Sequence, residues 1–563
     1  MAFQLSPGVN VSEVDLTTVV PSVATTVGGF AGNFNWGPVD EIVTINNEVQ
    51  LVERFGKPDS NTYTSFFTAA NFLSYANDLR LVRSAGTGAN NATTSGVSIQ
   101  VKNRTDYEQN HSSGSVSDVF YAKYPGSIGN SLKVSMCDSN TAILSTWQYR
   151  NEFSANASNS SYSTSKGVSQ DELHIVVIDT TGKISGTANT ILEKFAFVSK
   201  AGDAKNTDGT SNYYKDVLNS KSKWVWWAGH PSSGTNWGKT TDFILANEVD
   251  RSYDLLSTTD FELSGGVDSA PLAGNLSSSY DLFDNPDSVD VSLLMGGALT
   301  GDTVPNHLIS MAETRKDVLV FLSPEQSSVV NNSGNETNSI KALRDSLTSS
   351  SFAVMDSGWK YQYDKYNDVY RWIPLNGDIA GLCARTDIER DPWFSPAGFN
   401  RGQIKNVVKL SWNPTKAERD TLYKSGVNPV VTFPGEGTVL YGDKTLLSRP
   451  SAFDRINVRR LFIVLEKAIA RAARSSLFEF NDEFTRAQFV NLVEPFLRDV
   501  QGRRGIYDYR VVCDTTNNTS EVIDRNEFVG DIYIKPARSI NFIQLNFVAV
   551  RTGVSFNEVV GSF

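Results

Sequence analysis

The sequence predicts a multidomain α+β protein: a mixed α/β core built from N- and C-terminal parts, an inserted outer α/β domain, and extended strands at both ends. Three observations carry this. A chain of 563 residues exceeds what one hydrophobic core usually organises. Residues 289–348 alternate short apolar runs with helical patterns in β-α-β-α order. Near the N-terminus Val9 and Val11 alternate with Asn10 and Ser12, and near the C-terminus Ile543, Leu545 and Phe547 alternate with Gln544 and Asn546. That period of two marks strands, and the polar, turn-rich residues beside the first leave it no local partner.

Along the chain, Pro7-Gly8 opens a turn before the first strand, and residues 47–55 and 63–77 read as helices. Residues 84–118 are rich in Gly, Ser, Asn and Thr and read as a loop or linker. Strand 289–295, helix 305–316, strand 318–322 and helix 337–348 follow. In the last part, helices are expected at 376–388, 415–425, 454–475 and 482–500. Strands are expected at 404–411, 428–433, 506–513, 528–535 and 539–550, with a bulge near Phe542–Ile543 where the alternation changes phase. The implied division is an arm at 1–20, a core from 21–95 and 351–563 with a strand arm at about 528–563, and an inserted outer domain at 96–350.

Composition narrows the function. The net charge of −11 makes a polyanion a poor partner, so direct nucleic-acid binding is not expected. Three cysteines and four histidines lie scattered, without disulfide or metal-ligand spacing. The first 20 residues lack the basic and apolar regions of a signal peptide, and the longest apolar runs, such as 461–465, are too short to span a bilayer. A soluble chain folded in a reducing cytoplasm, with no direct membrane contact, is expected.

Candidate chemistry is sparse. Gly437 to Thr445 resembles a phosphate-binding loop, but Asp443 stands between Gly442 and Lys444. A carboxylate there would repel an anion, so a strand-and-turn role is expected over nucleotide binding. No zinc-protease or nucleophile-elbow motif occurs. Asp171-Glu172 and Asp482-Glu483 are adjacent pairs whose side chains diverge, with solvated surface as the default. Trp224, Trp226 and Trp227 could form a sugar platform, but core or interface packing is favoured. No cofactor, metal or catalytic residue is expected.

Residues 454–474 hold the most information. At about 100° per residue, Arg460, Lys467, Arg471 and Arg474 fall within an arc of about 60°, broadly opposite Val458, Leu461, Leu465, Ala468, Ile469 and Ala472. Such a stripe is either a solvated face or a surface that docks on acidic protein. Its arginine content favours docking, because guanidinium forks pair bidentately with carboxylates.

Longer segments carry a resemblance. LSPGVNVSEVD at 5–15, NFNWGPVDEIVTINNEVQLVERFGKP at 33–58 and AKYPGSIGNSLKV at 122–134 look like contractile tail sheath proteins of T4-like bacteriophages. So do WKYQYDKYNDVYRWIPLNGDIAGLCARTD at 359–387, FDRINVRRLF at 453–462 and GIYDYRVVCDTTNNTSEVIDRNEFVGDIYIKPARSINFIQLNFVA at 505–549. Larger members carry an additional outward-facing domain where this chain has the polar stretch 84–121, so that domain's functions are not carried over.

The resemblance implies a mechanical polymer and not an enzyme: stacked hexameric rings around an inner tube, contracting to drive the tube through a host envelope. The implied partners are other copies of the chain, the tail tube protein, and baseplate and tail terminator proteins. The implied place is the phage tail of the virion, assembled in the host cytoplasm. The related alternative is the sheath of a bacteriocin or secretion machine. Val9, Val11, Val14, Ile543, Leu545 and Phe547 are expected to exchange strands between subunits. Arg460, Lys467, Arg471 and Arg474 are expected to face the tube.

Overall fold

A computed structural model describes residues 24–115, 117–541 and 544. At its centre lies a sheet of seven described strands. In chain order these are β1 (Gly28–Gly32), β2 (Ile42–Ile45), β3 (Leu79–Arg83), β4 (Leu293–Met295), β5 (Leu319–Leu322), β6 (Ala353–Asp356) and β7 (Val427–Asn428). Their order across the sheet is β7-β6-β5-β4-β1-β3-β2. All neighbours run parallel except β2, which is antiparallel to β3 at the edge.

Parallel strands buried on both faces need continuous apolar runs, and LVFL at β5 is such a run. Leu319 and Phe321 enter one core layer, Val320 and Leu322 the other. The first layer is closed by helices α1 (Tyr63–Leu73) and α2 (Asn376–Glu389), through Phe66, Phe72, Ile379 and Leu382. Thr303–Arg315 and Glu336–Ser346 close the second, with Leu308, Ile309, Met311 and Ile340. Glycine at β1 permits this tight sandwich: a Cβ at Gly28 would lie 2.6 Å from the Phe72 ring.

This pairing corrects the expected division. The β-α-β-α segment at 289–348 has the predicted elements, but its strands lie between β1 and β6 in the core sheet, so the insertion ends before β4. Apolar runs such as VLVFL require cover on both faces, and the helix layers on either side of the central sheet supply it. The inserted part carries its own antiparallel sheet, ordered Thr190–Ser199, Glu172–Asp179, Leu132–Asp138, Asp260–Glu262. Nor is 84–118 a plain linker. Ala89, Asn91, Ala92, Thr93 and Val101 are buried, and Asn91 Nδ2 donates to the carbonyls of Val101 and Ala122. Short polar residues here satisfy buried backbone where no regular element does.

The C-terminal part is a helix pair, α3 (Ile456–Ala473) and α4 (Glu483–Gly502), backed by two antiparallel strands, β8 (Ile506–Val512) and β9 (Asp531–Pro536). Leu461, Leu465, Phe489, Val493, Leu497, Val500 and Ile506 form its core. The expected strand 404–411 shortens to Lys409–Leu410. The expected strand at 539–550 lies largely outside the described residues, and Ser539–Asn541 are not in a strand.

Candidate assembly interface

Helix α3 buries the face its periodicity assigns: Val458, Leu461, Leu465, Ala468 and Ala472 are all buried. Its cationic stripe divides along its length. Arg460 is a correction to the expected surface contact, because it is only 3% exposed. Its guanidinium donates to the Asp387 carboxylate and, at 3.2 Å, to the Cys383 carbonyl, both on α2. Burial works against the charge, but Asp387 outweighs it and holds Arg460 firmly protonated.

Further along, Lys467 Nζ pairs with the Asp290 carboxylate and lies 3.9 Å from Asp317. Arg471 reaches Asp290 at 3.4 Å, and Arg474 reaches Asp287 at 2.7 Å. The carboxylates that meet this stripe belong to the same chain: Asp287 and Asp290 lie in the segment leading into β4, and Asp317 just before β5. The last two arginines keep side-chain exposures of 42% and 69%, so both stay open to an outside partner.

The strand-exchange residues Val9, Val11, Val14, Ile543, Leu545 and Phe547 lie outside the described residues. Their flanks are placed. The Ala24 carbonyl accepts from Ser292 Oγ at 3.0 Å, and Ser292 Oγ is 3.4 Å from Lys467 Nζ. Ala24 therefore lies beside the later half of α3. At the other end, Ser539 Oγ donates to Asp443 Oδ2 at 2.6 Å.

That contact explains Asp443. The carboxylate is 3% exposed and gathers Arg455, Ser395 and Ser539. The Lys444 N–H donates to Asn428 Oδ1, the Thr445 N–H to the Asp454 carbonyl, and Lys444 Nζ to the Tyr423 carbonyl. A phosphate loop needs such groups free and converging. Here they are spent on neighbouring core residues, and the Asp443 carboxylate ties Ser539 to the core, consistent with the strand-and-turn reading.

Other candidates also serve packing. Trp226 and Trp227 are buried. Trp226 stacks on Tyr107 at 4.3 Å and lies under Lys123 Nζ, and Trp224 is half-buried beside Trp36. Asp171 corrects the surface default: it is fully buried and accepts from Ser160 and Ser199. Asp482 caps α4 through the Thr485 N–H.

The phage tail sheath central domain matches residues 297–446, the phage tail sheath C-terminal domain 448–549, and the domain III N-terminal region of tail sheath protein Gp18 25–83. The tail sheath protein of Enterobacteria phage T4 is 36% identical over 99% of both chains. The chain belongs to the phage tail sheath protein family. The tail sheath protein of Vibrio phage KVP40 is 34% identical over 99% of this chain and 100% of that one. That alignment runs over 674 residues against the 563 here, so the KVP40 sheath protein carries residues this chain lacks.

Solved structures share the fold. The sheath tail protein of Listeria innocua has a TM-score of 0.54 at 12% identity, covering 92% of this chain and 96% of that one. The contracted sheath complex of an extracellular contractile injection system has a TM-score of 0.51 at 14% identity, covering 97% and 98%. This tail sheath protein is thus a structural component of a phage virion tail, and its mixed α+β multidomain fold is that of sheath subunits.

Proposed function

We propose that this subunit polymerises as stacked hexameric rings around an inner tail tube and contracts to drive the tube through a host envelope. The observation that carries this is the likeness to phage tail sheath proteins over nearly the whole chain. Catalysis has no part in it. Assembly takes place in the host cytoplasm, with the baseplate at one end and a terminator at the other. The phage reading is preferred over a bacteriocin or secretion sheath because the phage relatives are far more similar in sequence than the injection-system structures.

The connections are strands. The described part of the β8–β9 sheet has two members, and an open edge is a template for a further strand. Terminal strands carrying Val9, Val11, Val14, Ile543, Leu545 and Phe547 add to such edges in neighbouring subunits, a head-to-tail contact that propagates. Each hydrogen bond adds only about 0.5–1.5 kcal/mol net, but a register of them holds neighbours together while subunits rotate as rigid bodies. In the extended state the exposed Arg471 of α3 and Arg474 just past its end, and after release of its clasp Lys467, face the tube. Weak surface pairs suit a contact that must be given up.

Deleting residues 1–15 tests the strand exchange. A folded, monomeric variant that fails to sediment as polymer is the expected result. Normal tubes from that variant would overturn it.

A further inference from the structure

The antiparallel hairpin Trp359–Asp364/Val369–Pro374 is inside out. Lys360, Gln362 and Asp364 point inward with 0%, 7% and 0% exposure, and Lys360 Nζ donates to buried Asp378 on α2 at 2.9 Å. A sheet with one wet face ordinarily does the reverse. Register pairs Tyr361 with Trp372 and Tyr363 with Tyr370 on the outer face, their rings 4.6 and 5.3 Å apart. Tyr363 and Tyr370 are 45% and 51% exposed. At the end of this ladder Lys409 Nζ lies 5.1 Å from the Tyr361 ring. Lys409 also lines an open cleft of about 580 Å³, shared with Val408, Thr432, Gly437 and Thr438.

A second exposed feature runs from the end of α3 into the first turn of α4. Leu477, Phe478, Phe480 and Phe484 are 63%, 105%, 85% and 76% exposed, and Glu479, Asp482 and Glu483 among them are exposed too. Phe478 has φ of 70°, a backbone conformation a bulky residue rarely adopts. Exposed apolar groups gathered like this mark interaction sites.

We propose that the 477–484 loop of one copy docks on the aromatic face and cleft of a second copy, Phe478 and Phe480 entering beside Lys409. Charge complementarity selects the occupant: the loop is acidic, and the charged residue lining the cleft is a lysine. Rings on both sides give offset or edge-to-face packing. The two patches differ, so the contact is heterologous and propagates along a lattice. In this it rests on the polymer reading above.

Phe480→Cys combined with Val408→Cys, in the full chain, tests it. Native Cys137, Cys383 and Cys513 are buried, which keeps background low. Mild oxidation of assembled protein is expected to give a ladder of covalent oligomers from the double variant and none from either single variant. Tubes seen by electron microscopy without a ladder would overturn the contact and leave the polymer reading standing. A parent chain that never polymerises would remove both. Should the cysteines disturb folding, charge reversal replaces them. Glu479→Lys with Glu483→Lys is expected to raise the threshold concentration for polymerisation at least about five-fold, and added Lys409→Glu to restore it to within about two-fold. Failure of that rescue, or normal self-assembly with lost binding to tail tubes, would assign the loop to another partner and refute the proposal.

Discussion

Arg460→Met isolates the buried end of the cationic stripe. The variant keeps most of the aliphatic bulk of the side chain and leaves Asp387 without its cation. The two side chains are 4% and 3% exposed, so water cannot replace the lost partner, and breaking such a pair costs about 3–5 kcal/mol. Replacing both, as Arg460→Met with Asp387→Leu, removes the stranded charge and is expected to recover all but about 1–2 kcal/mol. Urea denaturation of the unpolymerised chain gives the three differences, and the double-mutant cycle gives the coupling. A stability change under about 0.5 kcal/mol for Arg460→Met, the size typical of surface substitutions, would refute the buried-pair reasoning. Joined to lost tube-templated assembly, it would restore Arg460 as a surface contact.

Three further outcomes are expected. Lys467→Ala, cutting a mostly buried lysine from Asp290, should destabilise the chain by about 1–2 kcal/mol, whereas Arg474→Ala, exposed with its partner, should cost under about 0.5 kcal/mol; urea midpoints separate them. Burial pushes the Lys123 ammonium down to about 7. The folded chain therefore holds it neutral above that pH, while the unfolded chain keeps the proton until near its usual value. Between the two, the unfolded state binds more protons and stability rises with pH, by about 2 kcal/mol from pH 7 to 9 for this group; Lys123→Met should flatten that part of a stability–pH profile. Trp226→Ala should cost about 3–5 kcal/mol by opening a cavity under Tyr107 and Lys123, measured by thermal unfolding.

Local patterns carried much of the fold. The helices at 48–55, 376–389, 456–473 and 483–502 follow from periodicity in the sequence itself, and so do the apolar runs at β4 and β5. Pairing was the hidden part. Nothing near β4 says that its neighbours are β1, more than two hundred residues earlier, and β5, so local pattern alone splits the core sheet and gives part of it to the insertion. The same distance hid the chemistry of α3. A helical wheel places Arg460 with Lys467 and Arg471, yet its partner Asp387 sits on another helix, and only packing decides that this turn is enclosed. The 359–374 hairpin misleads differently: its alternation is plain, but alternation does not say which face is wet, and here the polar face is buried because Asp378 waits there for Lys360.

The most direct test of the central claim is electron microscopy of the purified full-length protein at high concentration and moderate salt, alone and with tail tubes added. Long hollow striated tubes, formed alone or templated on the added tubes, are the expected result for a self-assembling sheath subunit. Dispersed monomers under both conditions, from protein shown to be folded, would contradict it.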